Sequence, residues 1–428
     1  MFLKFFKKNI IEIIRNPKII IKKIFVLIKL IFKFIILIFE IPIYIFCLPI
    51  ILFTLILNNF YKIRFGIIRS QPFGNSMLDM SLIKLFKNLE NTKSLDLFCY
   101  KKKFINKQLL KFAKREFKIS YFYKYFYNLV NLLQLENLKF PNIKIIREKY
   151  SFFKDEQKKF GEHFPYFKFD KHENEKGNNF LKKIGLMQKS KYVCLIMRDS
   201  KYKKTLNDGI DYNYHSFRNV NSENYKDAVL KLISKGYWVF RMGSEAEKKM
   251  SISSNQFIDY PFCDQKSDFL DIWLMANCDF CITSGTGLDM ASICFDKPIV
   301  YTNLIEYKPP FFFFNSDLVI FKKIKCSTKK EILSLSKILK RNLANVMTTK
   351  TFHSENLIVE ENSVEEITET VLEMEERINN KKSSQNTFLQ SKFWEILHGN
   401  NSIKKTQNHC KARVGKHFLN QNFHWLTN

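Results

Sequence analysis

The loop Ser284-Gly285-Thr286-Gly287 joins two residue types that suit an anion. Glycines let main-chain N–H groups come close to a ligand, and the Ser284 and Thr286 hydroxyls add donors. The loop follows a strand-like run, Phe280 to Thr283, and leads through Leu288-Asp289 into a helical one, Met290 to Phe295. A helix N-terminus adds partial positive charge there, and the combination suits a diphosphate. Three arginines follow other strand-like runs. Arg198, with Asp199 and Ser200, comes after Tyr192 to Met197, and Arg218 lies in Tyr214-His215-Ser216-Phe217-Arg218-Asn219. Arg241, with Met242 and Gly243, ends Tyr237 to Phe240. Such arginines neutralise departing phosphates. His215 is the leading general-base candidate, because a hydroxyl nucleophile needs a proton acceptor poised near neutral pH; Asp199 and Asp211 are rivals.

Other chemistries find less support. The stretch Gly285-Thr286-Gly287-Leu288-Asp289-Met290 lacks the third glycine of a dinucleotide fingerprint, and no Walker lysine follows it. No carboxylate pair is spaced for glycoside hydrolysis, and without a D-x-D-type motif a metal-independent reaction with no cofactor is expected. Cys278-Asp279-Phe280-Cys281 has the spacing of half a zinc site, but no second pair or nearby histidine completes it. The nine cysteines are odd in number and scattered, several within apolar runs, which fits reduced thiols in a cytoplasmic compartment.

The elements that must carry these residues are strands and helices in alternation. Ser222 is expected to cap a helix closed by Gly236, Ser267 one reaching Ala276, and residues 364–378 form a capped amphipathic helix. Phe257 to Tyr260 and Ile299 to Tyr301, the latter leading to Thr302-Asn303, are further strands. Spacings of about 20–40 residues between such units predict a parallel sheet covered on both faces, with ligands at the carboxyl ends of its strands. Before them, Tyr61 to Ile68 and Leu95 to Tyr100 read as strands, Ser70 to Ser76 as a turn and Met77 to Leu89 as a helix. The polar stretch 154–180 reads as a linker, while Phe418, Trp425 and Leu426 predict that the C-terminal end packs back on the body.

The chain has 428 residues and a formal net charge of +29. Lys, Ile, Phe and Asn are abundant while Gly and Ala are scarce, as AT-rich codons produce, so charge alone does not imply a nucleic-acid partner. No motif interleaving aromatics with basic residues supports one either. On a helical wheel Lys4, Lys8, Arg15, Lys18, Lys22, Lys29 and Lys33 fall within roughly 80° of arc, as in a helix lying at a membrane surface. Asn16-Pro17 is expected to start a second helical piece. Ile41 to Leu57 carries no charge and is nearly long enough to cross a bilayer, but Pro42 and Pro49 leave span, hairpin and monotopic anchor all open. The late start of the apolar run and the lack of a small-residue cleavage site argue against a signal peptide.

The runs YVCLIMRDSKY, YHSFRN, GYWVFRMG and SDFLDIWLMANCDFCITSGTGLDMASICFDKPIVYTN resemble a family of bacterial glycosyltransferases associated with surface-polysaccharide synthesis. IRFGIIRSQPFGN, SLDLFCYKKKFINKQLL and ARVGKHFLNQNFHWL are similar to that family's flanking segments, extending the resemblance over 60–428. Arg198-Asp199-Ser200 with His215 to Asn219 is also similar in style to the donor loop of fucosyltransferase-like enzymes. The turn Pro72-Phe73-Gly74-Asn75 departs from the Ile-Gly-His-like segment more usual there. The resemblance implies an α/β, GT-B-like fold, two Rossmann-like domains facing a cleft, preceded by an N-terminal membrane-associated helical segment. The expected division is a membrane anchor at 1–59, an acceptor domain at 60–175, a donor-binding domain at 176–350 and C-terminal helices at 351–428. The implied activity is transfer of a hexose or deoxyhexose from a nucleotide-diphosphate sugar to a lipid-linked or cell-surface glycan, at the cytoplasmic face of the inner membrane. His215, Asp199 and Arg198 would be catalytic. Arg218, Asn219, Arg241, Gly243, Ser284, Gly285, Thr286, Gly287 and Asp289 would hold the donor, with Gly74 and Asn75 on the acceptor side. The alternative is a catalytically silent GT-B-like membrane scaffold or sugar-nucleotide-binding protein of polysaccharide assembly.

Overall fold

Short runs of β-branched and aromatic residues become strands, and the glycines and polar residues between them turn the chain at the strand ends. The computed structural model describes residues 17–90, 92–149, 167–187, 190–199, 201, 212–305, 317–346, 348–379, 387–399 and 412–427. Lys4, Lys8, Arg15, Asn16, Ser200 and Asp211 lie outside the described residues. Two compact units result. One comprises Met1–Ile67, Thr92–Lys101 and Phe117–Phe140, and the other Ile68–Asn91, Lys102–Glu116 and Pro141–Asn428.

The first unit holds a parallel sheet, β1 (Lys62–Ile67), β2 (Ser94–Cys99) and β3 (Lys118–Ile119), in that order. Arg64 and Asp96 are partners across β1 and β2, both buried, with Arg64 Nε 2.7 Å from Asp96 Oδ1. The Arg64 guanidinium also lies over the Phe140 ring. Loss of either partner would leave a buried charge unmatched. A helix at Lys124–Leu132 packs on the sheet, and the long helix Pro17–Leu57 packs on that helix. Cys47 and Ile51 of the long helix join Ile63, Phe65, Tyr125, Phe126, Leu129, Val130 and Leu138 in one apolar core. The helix is continuous through Pro42 and Pro49, so among the described residues no hairpin forms at these prolines. Its segment Ile38–Leu57 is long and apolar enough to cross a membrane.

The second unit is built on a larger parallel sheet. Its strands are β4 (Tyr192–Ile196), β5 (Trp238–Met242), β6 (Phe257–Asp259), β7 (Phe280–Thr283), β8 (Ile299–Leu304) and β9 (Leu318–Phe321). A small antiparallel sheet follows, made of β10 (Lys323–Cys326), β11 (Glu331–Ile332) and β12 (Leu357–Glu360). Near the C-terminus β13 (Arg413–Val414) returns to the large sheet and pairs in parallel with β9. The large sheet has the order β13-β9-β8-β7-β4-β5-β6. Counting from β4, this is the 3-2-1-4-5-6 order of a doubly wound sheet with one extra edge strand. Every residue of β4, β7, β8 and β9 is buried, as strands covered on both faces require.

Local signals placed several helices well. Ser267 caps Asp268–Asn277, and Ser363 with Glu366 forms a capping box on Val364–Ile378. Three details differ from expectation. Asn221 rather than Ser222 caps the turn before helix Lys226–Ser234, because that helix opens with a 3-10 turn at Ser222–Tyr225. The turn expected over Ser70–Ser76 is already helical from Phe73, so Gly74 and Asn75 stand in the first turn of Phe73–Glu90. Within the expected linker, Lys171–Lys183 is a helix opened by an Asp170–Glu173 capping box. A Cβ at its Gly177 would fall 2.1 Å from the Trp273 ring, so this glycine permits close helix packing instead of flexibility.

Candidate functional site

The strand order reverses between β4 and β7. From β4 the chain works outward through β5 and β6, and from β7 it works outward through β8 and β9. Such a reversal leaves a crevice at the carboxyl ends of the two strands. Ile196 and Thr283 are paired there, so Met197-Arg198-Asp199 and Ser284-Gly285-Thr286-Gly287 leave the sheet side by side. The Ser284 N–H donates to Ile196 O at 3.2 Å, and the Arg198 N–H donates to Ser284 Oγ at 2.9 Å. The Val220 N–H donates to Arg198 O, bringing the 212–220 segment to the same place.

The 284–287 loop is folded around its own side chains. Asp289 is buried, and its Oδ2 accepts from the Thr286 N–H at 2.9 Å and the Thr283 hydroxyl at 3.2 Å. The Gly285 N–H donates to Thr283 Oγ1 at 3.1 Å. Gly285 has φ +76, a left-handed conformation that excludes most side chains. Two amides expected to face a ligand are thus used within the turn, and Asp289 is the group that sets its shape. The helix that follows, Asp289–Cys294, is only six residues long. Positive potential must come chiefly from side chains.

Those side chains come from the connection after β4 and from the end of β9. Arg218 Nη2 donates to Gly285 O at 3.1 Å. Lys322, at the end of β9, is buried and donates through Nζ to Phe217 O at 3.1 Å and Asn219 O at 2.7 Å. It therefore grips the carbonyls on either side of Arg218. Burial lowers the Lys322 pKa to about 8; nearby Glu361 opposes the shift, and Arg198 and Arg218 add to it by repulsion. Three cations thus share one end of the sheet. Glu361 is a nearby counter-charge, held by the Asn221 N–H and the Asn224 side-chain amide. Sequence reading missed Lys322, whose only signal is a lysine ending the apolar run Leu318 to Phe321.

His215 lies on the 3-10 segment Tyr212–Arg218, half-buried, with the Tyr214 ring 3.8 Å away and that of Phe217 at 6.1 Å. Helix Thr349–Ser354 holds this segment in place. Thr349 Oγ1 lies 3.0 Å from both Ser216 Oγ and Tyr214 O, and Phe217 packs on Phe352. Asn219 contributes its carbonyl to Lys322. Gly74 meets the 284–287 loop directly. A Cβ on it would sit 2.8 Å from Gly287 Cα, so two glycines are needed for the backbones to approach this closely. Asn75 follows it in the same helical turn. Ser76 Oγ and Thr286 Oγ1 are buried without a hydrogen-bond partner among the described residues.

The remaining predicted residues go elsewhere. Arg241 Nη1 donates to Lys248 O at 2.7 Å and lies 3.3 Å from Asp259, so this arginine stays at the β5–β6 end instead of reaching the 284–287 loop. Asp199 accepts from the Lys201 and Glu247 N–H groups and stands 4.0 Å from Arg241 Nη2, which makes it a loop organiser. Gly243, at φ +139, turns the chain after β5. A groove of about 610 Å³, lined by His172, Lys176, Phe180, Gln265, Ser267 and Leu270, includes none of the candidate residues. Among the described residues no cluster of His, Cys, Asp or Glu could hold a metal, and Cys278 and Cys281 are buried and free.

No family model and no curated protein matches the sequence. Among solved structures, the chain is similar to the glycosyl transferase family 9 protein of Veillonella parvula DSM 2008. The identity is 9% and the TM-score 0.41, over 74% of this chain and 97% of that one. A likeness at this level leaves activity to be argued from the site.

Proposed function

We propose that the protein is a GT-B-type glycosyltransferase that moves a sugar from a nucleotide-diphosphate donor to a lipid-linked or cell-surface glycan acceptor. The observation that carries this reading is Arg218 bonded to the 284–287 loop where the strand order reverses, with Lys322 gripping the Arg218 turn and Arg198 close by. A crevice at that point is where doubly wound sheets bind nucleotides. Three neighbouring cations suit a diphosphate, whose charge grows as the sugar leaves. Arg198 and Arg218 would pair with the phosphates, Lys322 would hold the Arg218 turn and add charge, and Gly285 and Gly287 would keep the loop low enough for close approach. His215, beside Arg218 on the same turn, would take the acceptor proton.

The reaction would need no metal, since the arginines and lysine supply the charge. The long N-terminal helix would attach the enzyme to the cytoplasmic face of a membrane, where nucleotide sugars are made and lipid-linked acceptors lie. The test is titration of the detergent-solubilised full chain with uridine, guanosine and cytidine diphosphates and their sugar conjugates. One nucleotide should bind at micromolar concentration without added metal, and Thr286→Trp or Arg198→Ala should remove it. Absence of binding across the panel would leave the scaffold reading in its place.

A further inference from the structure

The helix Ile38–Leu57 has one covered face and one bare face. Cys47, Ile51 and Thr54 are buried, with Glu40, Ile43, Tyr44 and Leu55 partly so, which on a wheel of about 100° per residue is an arc of roughly 120°. The rest of the circumference is exposed and wholly apolar: it includes Phe39, Phe46 and Phe53 at seven-residue spacing, with Phe60 continuing the series beyond the helix. Pro42 and Pro49 also lie on this bare side. So wide an apolar surface requires an occupant.

The covered face states what that occupant is. It is polar at both ends: Glu40 pairs with Lys124 at 2.8 Å, Tyr44 OH accepts from Asn128, and just past the helix Asn58 bonds with Asn137 O and the Ile63 N–H. An α/β body with charged residues therefore lies along the full length of about 30 Å. If the helix crossed a bilayer, this body would have to enter hydrocarbon beside it, together with strand edges and the Lys124–Glu40 pair. Lying flat satisfies both faces. The same helix carries Lys18, Lys22, Lys23, Lys29 and Lys33 in its earlier turns, a charge complement to anionic headgroups.

We infer that Ile38–Leu57 lies in the plane of a lipid surface, immersed by its bare face only, and does not cross the bilayer. The inference rests on the membrane attachment proposed above and not on the donor reading. Tyr121 and Phe122, exposed beside the Lys124–Glu40 pair, would dip into the same interface.

The full chain, diluted from detergent onto phosphatidylcholine–phosphatidylglycerol vesicles, tests this with Phe39→Trp, Phe46→Trp and Phe53→Trp. Quenching by lipids brominated at graded depths is read after subtracting the signal of the unsubstituted chain. A flat helix places all three tryptophans at one shallow depth. A crossing helix separates positions 39 and 53 by about 20 Å along the membrane normal, which overturns the inference. Phe46 and Phe53 are 66% and 58% exposed, so Phe46→Asp with Phe53→Asp leaves the fold intact and should lower vesicle co-flotation at least about tenfold. A chain that never floats, and instead dimerises through this face, overturns the attachment while nucleotide binding persists.

Discussion

Two ends of the same sheet carry the same kind of residue and do different things with it. Where β4 and β7 diverge, the Arg218 guanidinium meets a carbonyl, Lys322 meets two more, and Arg198 and Glu361 lie near Lys322. At the β5 and β6 end, Arg241 meets Asp259 and approaches Asp199, and its charge is balanced within the protein. An arginine paired with carboxylates holds loops together, while cations gathered at one crevice suit an anionic ligand. The difference follows from strand order, since only the first pair of strands sends its crossovers in opposite directions.

The sharpest way to break this contrast is to remove each arginine. Arg218→Ala should weaken nucleotide-diphosphate binding by about 100-fold, the scale of a lost charge-assisted contact, with little change in the denaturant midpoint. Arg241→Ala should do the opposite. It strands Asp259 and should cost about 3–5 kcal/mol of stability in denaturant unfolding while the folded fraction keeps its nucleotide affinity. If both variants lose affinity equally, the division of roles between the two ends fails. A smaller effect is expected at the loop itself. Gly285→Ala forces a side chain into φ +76 and within 3.3 Å of Leu304, and should lower affinity about tenfold through a displaced Arg218 partner.

A third contrast concerns acid. Burial pushes Asp271, near the β6 end, up to about 7; its hydrogen bond with Tyr260 opposes this, and Asp268 adds to it. A carboxyl raised in the folded state favours folding below its unfolded pKa of about 4, and that stability is lost as pH rises through 7. Asp271→Asn should therefore flatten the fall in denaturant midpoint between pH 4 and 7, without changing nucleotide affinity in that range.

How much of this was legible from the residues depends on distance along the chain. β4, β7 and the Ser284–Gly287 turn, the Ser267 cap and the capped helix at 364–378 are local patterns, and each was readable. Arg198 and Arg241 carry one signature, a strand-like run followed by arginine, and only strand order separates the two. Lys322 was invisible because it is one of 70 basic residues, and its meaning lies in the carbonyls of Phe217 and Asn219, a hundred residues earlier. Gly177 looked like a linker glycine because the Trp273 ring that it accommodates is likewise remote in sequence.

The finest test of the cationic end is its proton. Lys322 in the free protein titrates at about 8, lowered first by burial and further by Arg198 and Arg218. A diphosphate between these groups would favour the charged ammonium and return the pKa toward its ordinary value of about 10.4. The bound state then holds more protons than the free state above pH 8, so affinity must fall as pH rises through that value, by up to about tenfold per unit. Calorimetry above pH 8 should show proton uptake on binding, as an enthalpy that varies with the ionisation heat of the buffer. Below pH 7 the Lys322 contribution should vanish, because Lys322 is charged with or without ligand. Lys322→Met should abolish the uptake along with some affinity, whereas Arg241→Ala should leave it intact. Uptake that survives in Lys322→Met would assign the proton to another group and remove Lys322 from the site.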